Sequence, residues 1–233
     1  VNTFISALLF RLGNVKKNIG YNREGRGFLL DFSPEINYHK HYINRYAFLF
    51  NEYIGNKYVY LPELSLRYTG QKTFQFDNSH KTIALYLGGE NKEFRKYPDE
   101  YAVQLLRLLN RQGYNLLLIG DENDNIKHTQ YAEEARIDHL INLTARTTIE
   151  GFINTIANVD LIITIDSSAL HIAAGVKTPF IALMGLSTSP TSTILPKVPL
   201  GRILKIENNL IREEDYIRNI TPDLILKTIS ELI

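Results

Sequence analysis

Between Lys81 and Gly185, short, nearly continuous apolar runs alternate with longer amphipathic stretches. "TIALYLGG", "YNLLLIG", "DLIITI" and "TPFIALMG" are apolar on consecutive residues rather than on every second one. A strand of that kind is buried on both faces, which requires helices on both sides of a sheet. Between the runs lie "PDEYAVQLLRLLNRQG", "NIKHTQYAEEARI", "TTIEGFINTIANV" and "SALHIAAG", each read as a helix. Pro98 stands in the first turn of one, and Thr147 and Glu150 have the spacing of a capping box in another. "LINL" adds a short strand and "GRILKI" a last one. "TPDLILKTISELI" closes the chain as a helix, with Thr221 as N-cap and Pro222 at N1. Alternating strand and helix predicts an α/β fold with a parallel, Rossmann-like sheet over residues 76–233.

Residues 1–75 read differently. "VNTFISALLFRLGN" is the end of an amphipathic helix closed by Gly13. "VKKNIGYNREGRGFLLDFSP" holds two short strand-like pieces around a Gly/Arg-rich turn. "HYINRYAFLFNEYIG" has a helical stripe at 42, 43, 46, 49, 50 and 53 and ends at Gly55. Residues 56–80 are polar and mixed and read as a connector. The first lobe is therefore a partial N-terminal α/β lobe. The chain begins at Val1 and its one methionine is Met184, so the natural start is expected upstream.

Composition removes several function classes. There are no cysteines, which excludes disulfides, thiolate metal sites and a cysteine nucleophile. A formal net charge of +1 gives no global attraction to nucleic acid. No apolar run approaches the roughly 20 residues of a membrane span, and no signal peptide is visible. A cytoplasmic location is expected. There is no Walker-type loop, no G-x-G-x-x-G after the first strand of the sheet, and no G-x-S-x-G elbow. His39 and His41 alternate in a polar segment and read as a solvated turn. No cofactor is expected.

In a parallel sheet, ligands bind beyond the carboxyl ends of the strands. Three strand ends carry candidate chemistry. In "LGGENKEFRKYP", Gly88 and Gly89 allow close approach of backbone, and Arg95 and Lys96 offer positive charge; a solvated loop is the plainer alternative. In "IGDENDN", Glu122 or Asp124 could grip ribose hydroxyls, with a polar turn and acidic N-cap as the alternative. The third is "LIITIDSSALHIAAG". Asp166 ends a strand, and Ser167 and Ser168 fall at the N-cap and first turn of a helix. Unpaired N–H groups and the positive end of the helix dipole make such a start an anion site, suited to phosphate. His171 lies one turn on, about 5 Å along the axis. An N-cap with a core histidine is the alternative. Together the three tips suit a nucleotide carrying phosphates, without an evident metal.

These residues resemble glycosyltransferase family 9, the ADP-heptose:lipopolysaccharide heptosyltransferase family. "DSSALHIAAGVKTPFIALMGLSTSP" is similar to its D-(T/S)-G-x-x-H-(L/I)-A-A block. "GGENKEFRKYPDEYAVQLLRLL" resembles its K-R-W-P-x-E segment, and "INLTARTTIEGFINTIANVDLIITIDS" its N-L-x-G run into the motif strand. The resemblance implies a two-lobed, GT-B-like fold with a donor-binding C-terminal lobe and an acceptor-side N-terminal lobe. Carried over, Asp166, Ser167, Ser168 and His171 hold the sugar diphosphate. Arg95 stands for the lysine that neutralises the leaving pyrophosphate, and Asp124 or Glu122 binds ribose. Ser168 replaces a glycine, Tyr97 a tryptophan and Arg95 a lysine; Ala145 and Arg146 fall where a glycine is common.

The implied activity is inverting, metal-independent transfer of a heptose-like sugar from a nucleoside-diphosphate-sugar to a lipopolysaccharide or other cell-surface glycan. Arg95, Asp166 and His171 serve the reaction, while the family's general-base aspartate belongs to a loop expected upstream of Val1. Asp31, the one early aspartate in an apolar context, sits at the wrong point in the order. Lys16, Lys17, Arg23 and Arg26 could face a phosphorylated acceptor, or form a solvated turn. An acceptor of that kind implies peripheral contact with the cytoplasmic face of the inner membrane. The competing readings are a non-catalytic nucleotide-binding fragment or module and a sugar-nucleotide epimerase on the same fold.

Overall fold

A computed structural model describes residues 3–58, 63–77, 79–88, 90–185, 195–196, 198–206 and 212–233. For Glu90, Asn91, Glu93, Glu213 and Glu214 it describes the backbone alone. The chain divides into two compact units, residues 1–63 with 189–195, and residues 64–188 with 196–233.

The second unit is built on six parallel strands: β1 (Thr82–Tyr86), β2 (Asn115–Leu118), β3 (Ile141–Asn142), β4 (Leu161–Ile165), β5 (Phe180–Leu183) and β6 (Gly201–Leu204). Their spatial order is β3-β2-β1-β4-β5-β6. The direction of winding therefore reverses between β1 and β4, where Ile83 pairs with Leu161 and Tyr86 with Thr164. Every residue of β1, β2, β4 and β5 is buried. Each fully buried Leu or Ile side chain contributes about 1.5–3 kcal/mol, so these runs dominate the core.

Burial on both faces needs two helical layers. α3 (Asp99–Arg111) packs with α4 (Asn125–Ala135) and α7 (Pro222–Ile229) as one layer; α5 (Ile149–Ala157) packs with α6 (Ser168–Val176) as the other. The caps follow the side chains available. Pro98 is the N-cap of α3, one position earlier than expected. Thr148, not Thr147, caps α5 by accepting from Gly151 N at 3.1 Å. Thr221 and Pro222 start α7 as anticipated. Tyr97 is fully buried and donates its hydroxyl to Ile220 O at 2.9 Å.

The second unit takes in the chain from Leu64, which packs on α5 and α6. Leu66 N donates to Gly175 O at 2.8 Å, and a Cβ on Gly175 would lie 2.8 Å from Leu66 Cγ. The N–H groups of Thr69 and Gly70 share Asn154 Oδ1, both at 3.1 Å.

The described part of the first unit holds α1 (Phe4–Leu12), a 3₁₀ turn (Arg26–Leu29) and α2 (Tyr42–Tyr53). The two strand-like pieces reduce to one parallel bridge, Ile19 with Phe32. Asp31 is a structural acceptor, 2.7 Å from Asn18 N. His41 is no solvated turn: it is buried, caps α2 by accepting from Ile43 N, and contacts Leu195 O at 2.9 Å. The basic segment also disperses. Arg26 is buried and donates to Tyr21 O, Arg23 lies over the Tyr38 ring, and Lys16 and Lys17 stay exposed.

Candidate functional site

The reversal between β1 and β4 leaves a crevice at the carboxyl end of the sheet, the position where α/β sheets bind ligands. A cavity of about 520 Å³ opens there. Tyr86, the last residue of β1, forms its floor. The ring meets Phe152 edge-on at 6.4 Å and His128 at 6.5 Å. Ile149 and Phe152 of α5 and Ile172 of α6 complete an apolar wall. Gly120, Asp121, Glu122, Ala145, Thr147, Thr148 and Ser168 supply the polar rim. Apolar walls with a few convergent polar groups suit a planar base joined to a polar tail. A larger groove of about 930 Å³ lies at the amino end of the strands, around Thr82, Asn115 and Asp160; the topology gives that end no reversal crevice.

The start of α6 has the geometry of an anion site. Asp166 follows β4 directly and is half-buried. Ser167 is the N-cap: its Oγ accepts from Ala169 N at 3.2 Å and lies 3.0 Å from Thr164 Oγ1. That hydroxyl is thus committed to the helix, while Ser168, exposed at N1, lines the cavity. His171 is exposed one turn on, and Ile172, four residues after Ser168, is the residue of that turn that lines the cavity.

The β2 end divides its acids between two jobs. Asp121 caps a 3₁₀ turn over Glu122–Asp124, accepting from Asn123 N at 2.8 Å, and Asp124 reaches back to Asp121 N at 3.0 Å. Asp124 is fully buried beneath Gly120, where a Cβ would lie 2.8 Å from its Oδ2. Asp124 is therefore a capping carboxylate and not a ribose ligand; Glu122 and Asp121 are the acids at the cavity. Burial pushes the Asp121 carboxyl up, but the Asn123 N–H and Lys92 outweigh it and hold it below the usual range. Burial, with Asp124 and Asp121 beside it, raises the Tyr86 phenol.

The β1 end is carried by Gly88, whose φ of +82° suits glycine and leaves no room for a side chain: a Cβ would lie 2.7 Å from Ile165 Cδ1. Gly89 lies outside the described residues. A 3₁₀ turn follows over Glu90–Arg95. Arg95 is half-buried and has no ion pair or side-chain hydrogen bond among the described residues. Lys96 is a correction: its ammonium is 2.8 Å from Asp99, which also accepts from Lys127 and Tyr131. Burial alone would raise the Asp99 carboxyl, and these donors instead bring it to about 2. Lys96 is thus part of a structural ion cluster at the start of α3.

Ala145 adopts φ +60°, the left-handed conformation that favours glycine, at the position where a glycine is common in the family that the chain resembles. Sequence reasoning missed Tyr86, Asp121, Phe152 and Ile172 as cavity groups, and Lys92 as the partner of Asp121. The one local signal was the polar-tipped Tyr86 at the end of an otherwise aliphatic strand.

Comparison with known proteins bears on the family and the fold. The family model for glycosyltransferase family 9 (heptosyltransferase) matches residues 1–214. Lipooligosaccharide heptosyltransferase 2 of Haemophilus influenzae is 30% identical over 158 residues, covering 63% of this chain and 45% of that protein. Lipopolysaccharide heptosyltransferase 2 of Salmonella typhimurium is 22% identical over all of this chain and 73% of its own length. The chain therefore spans about half the length of the Haemophilus relative. Among solved structures, the Escherichia coli ADP-heptose lipopolysaccharide heptosyltransferase II superposes with a TM-score of 0.81 at 22% identity, over 100% of this chain and 74% of that one. The Escherichia coli heptosyltransferase WaaC with ADP gives 0.71 at 16% identity, over 99% and 70%. These likenesses carry the GT-B-like fold, and the family match carries membership: the chain belongs to glycosyltransferase family 9, the heptosyltransferase family.

Proposed function

We propose that the chain binds a nucleoside-diphosphate-sugar at the β1/β4 crevice and serves inverting transfer of a heptose-like sugar to a lipopolysaccharide or other glycan acceptor. The observation that carries this is the meeting of the 520 Å³ cavity with the N-terminus of α6 at one strand end. The apolar wall of Tyr86, Phe152, Ile149 and Ile172 takes the base, and Glu122 faces the ribose. The diphosphate lies toward Ser168 and the free N–H groups of α6. As the acceptor hydroxyl attacks the anomeric carbon, negative charge grows on the departing diphosphate, and preorganised N–H donors, Ser168 and Arg95 meet it there. His171 and Asp166 complete that end. A base must take the acceptor's proton. The second unit serves the donor and the first the acceptor.

The names of the relatives, which act on lipopolysaccharide or lipooligosaccharide, support a lipid-linked acceptor. Work on such an acceptor at the cytoplasmic face of the inner membrane would bring peripheral contact with that membrane. No described helix is long and apolar enough to cross a membrane.

A thermal-shift screen with ADP, UDP, GDP, CMP and their sugar conjugates, with and without EDTA, tests the proposal. A ligand that binds only the folded state raises Tm, by about 2.7 kcal/mol of stabilisation at a hundredfold excess over Kd. One nucleoside diphosphate should give a shift that EDTA leaves unchanged. An absence of any shift would refute the nucleotide site.

A further inference from the structure

Lys92 stands beside two residues that line the crevice, Asp121 and Tyr86. Its ammonium lies 3.3 Å from Asp121 Oδ2 and 5.8 Å from the Tyr86 ring centroid. Its stem is fixed elsewhere. A Cβ built on Gly88 would meet Lys92 Cγ at 3.2 Å and Ile165 Cδ1 at 2.7 Å, so stem and strand end converge on that glycine. Ile165 is the last residue of β4, and Asp166, Ser167 and the start of α6 follow it directly. The lysine is thus rooted beside the phosphate-binding end of the crevice, with its charge turned toward the ribose end.

Asp121 has partners besides that charge. Its Oδ1 accepts from Asn123 N at 2.8 Å and its Oδ2 from the Tyr86 hydroxyl at 3.4 Å. Nearly half of the Asp121 side chain is exposed, and ion pairs so open to water contribute roughly 0–1 kcal/mol. A diphosphate offers a denser negative charge and stronger acceptors. A flexible four-carbon stem with a point charge is suited to moving between the two.

We propose that Lys92 is a second cation for the diphosphate, held on Asp121 in the free protein and passed to the phosphates when a nucleotide fills the cavity. This rests on the nucleotide reading of the crevice. It also assigns Asp121 a role distinct from that of Glu122: a competitor for the lysine, not a ribose ligand.

Isothermal titration of the 233-residue chain with ADP and with adenosine tests it. Lys92→Met should weaken ADP about tenfold and leave adenosine unchanged, and Lys92→Arg should restore most of the loss. Asp121→Asn keeps an oxygen for the Asn123 N–H and removes the competing charge. It should tighten ADP a few-fold, and do nothing in a Lys92→Met background. The Tm of each unliganded variant checks that it folds. Unchanged ADP affinity in Lys92→Met overturns the inference, as does an equal loss of ADP and adenosine, which would make Lys92 a brace for the lip. If the wild-type chain binds neither ligand, the nucleotide reading itself falls, and this inference with it.

Discussion

His128 lies in the α4 layer against Tyr86 and Tyr131, fully buried, with Nδ1 2.8 Å from Thr144 Oγ1. Its Nε2 has no hydrogen-bond partner among the described residues. Burial lowers its pKa to about 4 from 6.5, and Asp121 offsets only part of that. The unfolded chain takes up the proton as pH falls through 6.5, and the folded chain resists until about 4. Protons are bound more by the unfolded state in that window, so stability falls with falling pH. The loss attributable to His128 is about 2 kcal/mol at pH 5 and negligible above pH 7. Urea unfolding at pH 7 and pH 5 should therefore show a smaller acid loss in His128→Asn than in the wild type. Equal losses in the two proteins would place the titration elsewhere.

At the scale of elements, the proposed site would give two adjacent serines of α6 separate jobs, one in stability and one in binding. Ser167 closes the helix start, and loss of an N-cap hydroxyl costs about 1 kcal/mol. Ser167→Ala should lower Tm by about 2–4 °C and also weaken the nucleotide. Ser168 caps nothing and lines the cavity. Ser168→Ala should leave Tm within about 1 °C, since surface changes away from caps stay within about 0.5 kcal/mol, yet still reduce the ligand-induced shift. If Ser168→Ala destabilised as much as Ser167→Ala, the division of labour would be wrong. The same helix shows what a sequence can disclose. Its start was legible because a buried strand, an acid and two hydroxyls are adjacent in the chain and the cap rule is local. The strands were legible for the same reason: TIALY and LIITI are apolar apart from one threonine each, and every residue is buried. Asp124 misled because Glu122 and Asp124 look alike in sequence. Only the close approach of Gly120 decides that one is sealed below the turn while the other faces the cavity. Lys96 misled likewise, since the ion cluster that claims it brings Asp99 together with residues 28 and 32 positions further along the chain. The strand-like pieces ahead of Phe32 shrank to one bridge because a tight turn at Glu24–Gly25, both at positive φ, leads into the 3₁₀ helix instead of a ladder.

Across the whole molecule, apolar burial is distributed unevenly between the two units. In the second, β1, β2, β4 and β5 are buried at every position, and α3 buries five residues. In the first, α1 buries only Ala7 and leaves Ile5, Leu9 and Leu12 more than half exposed. α2 buries Arg45, Leu49 and Asn51 but exposes Ile43 and Phe50, members of the very stripe that its sequence marks as an apolar face. A helix draws most of its stability from the packing of that face, so α1 and α2 have little to hold them against local opening. The central strands open only with the entire sheet. Native-state hydrogen exchange should accordingly show the amides of Phe4–Leu12 and Tyr42–Tyr53 exchanging through low-energy local openings. Amides of β1 and β4 should exchange only near the global unfolding free energy, with a gap of several kcal/mol between the sets. A nucleoside diphosphate should slow exchange at Ser168–Val176 and leave α1 untouched, because the proposed contacts lie within the second unit. Equal protection in the two units would mean that the exposed apolar faces of α1 and α2 are covered in solution, and sedimentation analysis of the same sample would show whether a second copy of the chain covers them.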